Sequence, residues 1–170
     1  MIKCKKTTAF FIISILGTLG HFVYEITGKK YAVGLFFPVN ESTWEHLKLL
    51  FFPSVIYFTV CYFLLNRKPK NFISSSIISI LSGILAIVVL FYTYRGVIGK
   101  NIDFLNITIY YIAVLITVIT QKKLLESNKF KTEFSERTAL ILTIIIGIIF
   151  AVFTFNPPSL GIFLPPSSTI

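Results

Sequence analysis

The chain has 170 residues, 55% of them apolar and only 14% charged, with a mean hydropathy of +0.81. Soluble domains carry about 25% charged residues spread over every wet face, so a water-soluble fold is excluded and the bilayer is the solvent that fits. The formal net charge of +9 does not mark a nucleic-acid binder, because the basic residues cap apolar runs instead of sharing a wet face with aromatic groups.

Five apolar runs follow one another. The first, 7–27, comes after Lys3, Lys5 and Lys6. It is long for a signal core and lacks a small-residue cleavage site, so it reads as a retained span. The second, 47–65, contains Pro53, which removes one backbone donor and predicts a kink. The third, 72–94, opens on Ser74, Ser75 and Ser76, small residues suited to close helix packing. The fourth is 104–120, where the sequon Asn106-Ile107-Thr108 lies inside the span and carries no meaning. The fifth is 138–155. Each is close to the ~20 residues that cross a bilayer. The expected fold is therefore all-α: a polytopic transmembrane bundle of five spans forming one integral membrane domain over 1–170.

The connecting segments set the orientation. With the N-terminus inside, the inner segments hold eleven Lys and Arg residues and the outer segments five, which fits the positive-inside rule and puts the C-terminus outside. Residues 31–38 are apolar but too short to cross, so they either dip into the interface or re-enter. Residues 121–137 are basic and read either as a solvated linker or as a helix lying on the anionic inner leaflet. The tail from 156 onward has four prolines and no charge. Cys4 and Cys61 form no C-x-x-C motif and fall on the inner side, so no structural disulfide is expected.

The scarce titratable groups gather at the outer face. His21 and Glu25 are four apart, on one helix face, where a carboxylate can hold an imidazole as acid, base or metal ligand. The alternative is a local ion pair where the span meets water. The stretch from Pro38 to Lys48 reads PVNESTWEHLK. Ser42 and Glu45 match a capping box, with the serine bonding the third helical amide and Glu45 bonding back. Glu41 and Glu45 also suit the positive end of a helix, and Trp44 suits the headgroup layer. That cap explains neither Asn40 nor His46. Arg95, closing the third run, could pair with Glu41 or Glu45, bind an anionic group, or simply snorkel. His21, Glu25, Asn40, Glu41, Trp44, Glu45, His46 and Arg95 thus form the candidate cluster. Within it His21, Glu25, Glu41, Glu45 and His46 could supply mixed nitrogen and oxygen ligands to a divalent metal. The spacing matches neither H-E-x-x-H nor E-x-x-H. The expected convergence is His21, Glu25 and one of Glu41, Glu45 or His46.

Two strings, HFVYEITG from His21 and GLFFPVNESTWEHLKLLFFP ending at Pro53, with TYRGVIG and FTFNPP later, resemble a family of small bacterial multi-span proteins, domain of unknown function 6512. The resemblance covers nearly the whole chain. It implies an integral membrane protein without an established activity, and directs attention to His21, Tyr24, Glu25, Pro38, Asn40, Glu41, Ser42, Trp44, Glu45, His46, Lys48, Pro53 and Arg95. The ending LGIFLPPSSTI departs from the family's pattern of an acid before a proline and a longer tail.

Three functions fit the sequence. The first is a multi-pass protein of the cell membrane whose partners are the lipid bilayer and a bound ion, small molecule or lipid head group. The second is a membrane-embedded, metal-dependent hydrolase. The third is a transporter or accessory subunit, which the near absence of polar groups in mid-span disfavours.

Overall fold

The computed structural model describes residues 5–65 and 68–166, and all regular structure in them is helical. Five long helices are apolar enough to cross a membrane: α1 Lys6–Ile26, α3 Thr43–Leu64, α4 Phe72–Ile98, α5 Asp103–Glu126 and α6 Glu133–Phe155. A one-turn helix, α2 Tyr31–Gly34, lies between the first two, and a 3-10 turn, Gly161–Phe163, follows the last. The outward surfaces repeat the logic of the composition. Phe11, Ile15, Leu19 and Phe22 form an exposed stripe on α1, and Ile141, Ile144, Ile148 and Val152 form another on α6. Both recur at helical spacing on surfaces that water would not tolerate and hydrocarbon does.

In lipid the apolar drive between helices is weak, so close packing and buried hydrogen bonds hold a bundle together. α4 packs against α3, α5 and α6, and α1 packs against α3 and α5. Gly17 and Gly83 make these approaches possible. A Cβ on Gly83 would collide with Thr117 Oγ1 and Leu50, and one on Gly17 with the Tyr110 hydroxyl and the Leu49 carbonyl oxygen.

Pro53 sits inside α3, which runs on through it. Proline has no N–H for the carbonyl four residues back, and that carbonyl belongs to Leu49. The Tyr110 hydroxyl of α5 lies 3.4 Å from the Leu49 oxygen and 3.1 Å from the Ile13 oxygen of α1. One phenol therefore re-satisfies the acceptor freed by proline and joins three helices.

Several boundaries differ from the sequence expectation, for local reasons. α3 starts at Thr43, four residues before the apolar run, because Ser42 Oγ accepts the Glu45 N–H (3.3 Å) and caps it. The segment 121–137 is neither a free linker nor a separate surface helix. Its ends belong to α5 and α6, leaving residues 127–132 as the turn. Glu136 reaches across to accept the Ile73 and Ser74 amides at 2.9 and 2.8 Å, satisfying two of the donors left open at the start of α4. Cys61 is disulfide-bonded, contrary to expectation, and Cys4 lies outside the described residues.

Candidate metal centre

Two polar assemblies grow from the first two turns of α3. Residues 45 and 48 point one way and residue 46 another, as a helix of 3.6 residues per turn requires.

The first assembly is the Glu45–Lys48 pair. Both side chains are buried, at 2% and 0% exposure, with Lys48 Nζ 2.7 Å from Glu45 Oε2. Lys48 donates to the carbonyls of Gly34 (2.8 Å) and Phe37 (3.0 Å), and lies 2.9 Å from Thr154 Oγ1. Glu45 accepts from the Val39 amide (2.9 Å) and from Thr154 Oγ1 (3.0 Å). Every charge is met, and the pair pins the segment after α2, α3 and α6 together. The capping box is thus half realised: the serine plays its part, but Glu45 bonds Val39 and not Ser42. The Ser42 amide goes instead to Asn40 Oδ1 (2.8 Å), an Asx turn. Lys48, one of the five basic residues counted in the outer segments, is among the most buried of the described residues.

The second assembly faces α1. Asn40 and the Val39–Glu45 bond fix the loop so that Glu41 stands beside the N-terminus of α3, where a carboxylate is favoured. His46 Nε2 lies 3.2 Å from His21 Nε2, and Glu41 Oε2 lies 3.4 Å from the first and 3.6 Å from the second. His46 Nδ1 lies 2.9 Å from the Ser42 carbonyl oxygen and donates to it. That bond turns Nε2 toward Glu41 and His21: carrying a proton it donates to Glu41, and without one it is free to ligate, the arrangement by which a backbone carbonyl orients a ligating histidine. The hydrogen bond from His46 holds the Glu41 carboxyl below the usual carboxylate range, and His21 adds to this against partial desolvation. The three atoms make a nearly equilateral triangle of two imidazole nitrogens and one carboxylate oxygen. These are ligand types that zinc and similar divalent ions accept.

The other expected site residues lie elsewhere. Glu25 does not converge with His21. It pairs with Lys29 at 3.2 Å, which Gly28 and Lys29 bring back over the helix end with φ of 73° and 58°. A full ammonium charge there outcompetes an imidazole turned toward α3. Trp44 points away from the histidines and packs its ring on Phe150, Phe153 and Phe163, with centroids 4.8, 5.6 and 4.9 Å away. Arg95 donates to the Pro166 carbonyl (3.1 Å) and lies over the Phe91 ring. Among the described residues, the ion pairs of Glu41 and Glu45 are with His21, His46 and Lys48.

All three ligand-type residues line a cavity of about 720 Å³ between α1, α3, α4 and α5. Sequence reasoning missed what else lines it. Asp103 and Asn106 open α5 there, although Asn106 read only as an inert sequon, and Tyr110 closes it from below. The signal was available in Asp103, an acid at the start of a span, but nothing in the sequence brings it toward residues 21 and 46.

A family model described as a family of unknown function (DUF6512) matches residues 3–168. No curated protein and no solved structure matches the chain.

Proposed function

We propose, for a chain that belongs to the family of unknown function DUF6512, that it is a multi-pass protein of the cell membrane that holds a divalent metal ion through His21, Glu41 and His46. With the N-terminus inside, as the lysine and arginine asymmetry favours, the ion sits at the outer ends of α1 and α3.

One observation carries the reading. A tetrahedral ion with bonds of about 2.0–2.1 Å separates its ligand atoms by about 3.3–3.4 Å. The three edges of the triangle are 3.2, 3.4 and 3.6 Å. Three ligands are already spaced for one ion, and the second-layer bond from His46 to Ser42 holds one of them in the ligating tautomer. Glu41 also supplies the negative charge that two neutral imidazoles lack.

Metal analysis of the purified protein tests this. The wild type should retain about one zinc-like ion per chain, and His21→Ala, His46→Ala and Glu41→Ala should each lose it while the protein still folds. Equal metal content in all four proteins would refute the site.

A second reading, a metal-dependent hydrolase, is favoured by the cavity. Two histidines and a glutamate leave a fourth position for water, whose pKa such an ion lowers to about 7. Because all three ligands line the cavity, that water would meet whatever binds there.

A further inference from the structure

We propose that the cavity binds a single-chain anionic lipid drawn from the bilayer, its head on the metal and its chain lying along α4 and α5. The head assignment rests on the metal reading above, whereas the chain assignment rests on the cavity alone.

The cavity gathers its imidazoles and carboxylates at one end, and apolar side chains, with the hydroxyls of Thr18, Tyr110 and Tyr111, line the rest. His21, Glu41, His46, Asp103 and Asn106 lie at the helix ends that form its mouth, and Leu49, Ile87, Phe91 and Ile109 line it farther in. From Asp103 to Ile109 is six residues of α5, a depth of about 9 Å at ~1.5 Å per residue. A molecule that satisfies both zones has a polar group at one end and hydrocarbon at the other. The volume of about 720 Å³ falls inside the ~300–1,000 Å³ range of small-molecule sites, which suits one chain better than two. The rim explains the source. Phe22 of α1 and Ile107 of α5 line the cavity and are also exposed on the outer surface of the bundle. That surface faces hydrocarbon, so a chain can pass between α1 and α5 without crossing water.

The charges at the mouth explain why the head should be an anion only when the metal is present. Glu41 and Asp103 both line it, and alone they would repel a phosphate or carboxylate. A divalent ion with one anionic ligand has a positive charge left over and an open position, which a hard anionic oxygen fills.

The test uses the full chain in a bulky-headed detergent, loaded with zinc, with myristoyl lysophosphatidate as probe and glycerol phosphate as the same head without a chain. Binding is read by native mass spectrometry and titration, with zinc content measured alongside. The lysolipid should bind the zinc-loaded protein, and glycerol phosphate should bind at least about tenfold more weakly, since it lacks the chain that packs on Leu49, Ile87, Phe91 and Ile109. Chelation should weaken lysolipid binding. Ile107→Trp blocks the rim between α1 and α5 without touching a ligand, so it should keep zinc and lose the lysolipid. Wild-type protein that retains no zinc overturns the metal reading and the head assignment with it. Zinc retained with equal binding of lysolipid and glycerol phosphate, or with Ile107→Trp binding normally, overturns the chain assignment alone. Transfer from lysolipid-doped nanodiscs, but not uptake of the probe from detergent-free water, is the result expected of a bilayer source; the opposite result overturns that source.

Discussion

Within four residues of α3, one helix carries two polar assemblies of opposite character. Glu45 and Lys48 are sealed in the protein, and each charge is answered by its partner, two carbonyls, an amide and a threonine. His21, Glu41 and His46 line a cavity, and their three closest atoms are all of a kind that accepts a metal. Buried charge by itself therefore does not identify a functional site. A complete set of partners marks a fastening, and a convergence of like donors beside open space marks a place for something else. The same comparison separates two roles that adjacent residues in one motif would otherwise blur.

The sharpest way to break this contrast is Lys48→Met. Removing one member of a buried pair leaves Glu45 charged and alone, and should cost about 3–5 kcal/mol, seen as a large fall in unfolding midpoint in detergent. The double change Glu45→Gln with Lys48→Met should recover part of that loss, as removing both charges does for buried pairs. Next in size, His46→Ala should weaken metal binding by more than about 100-fold, since even second-layer changes cost 10–100-fold, while its stability changes far less than that of Lys48→Met. A calorimetric titration that finds wild-type affinity in His46→Ala would erase the distinction between the two assemblies. Glu41→Gln keeps the shape and removes the charge, and a loss of about 10–100-fold in affinity is expected. Metal binding should also fall with acid. Protons compete with the ion for its ligand atoms, and the His46 hydrogen bond keeps the Glu41 carboxylate ionised below its ordinary range. Affinity measured from high to low pH should therefore keep the Glu41 contribution through the ordinary carboxylate range and lose it only below that range. The smallest effect belongs to Glu25→Ala. Its pair with Lys29 is solvent-exposed, so stability should move by about 0.5 kcal/mol or less, with metal content unchanged.

The five long helices were legible because apolar length alone demands them. The cap at Ser42 was legible too, since it needs only residues close in sequence. The division of labour between Glu45 and Glu41 was not. Both are acids at a helix N-terminus, and only the arrival of Thr154 from α6 and of the Gly34 and Phe37 carbonyls makes Glu45 structural. His21 and Glu25 shared a face as spacing predicted, yet the left-handed turn at Gly28 and Lys29 gave Glu25 a better partner. His46 was found as the residue the cap left unexplained. Its partner across 25 positions, His21, met it only through the packing of α1 on α3.

The proline in α3 has one more consequence. By releasing the Leu49 carbonyl to the Tyr110 hydroxyl, with Gly17 small enough to admit the ring's end, it ties three helices at a single level, and that level is the bottom of the cavity. A floor fastened on three sides cannot sink to accommodate a longer guest. For the lipid proposed above, Leu49, Tyr110 and Gly17 would together act as a depth gauge, setting how much of its chain the cavity can take.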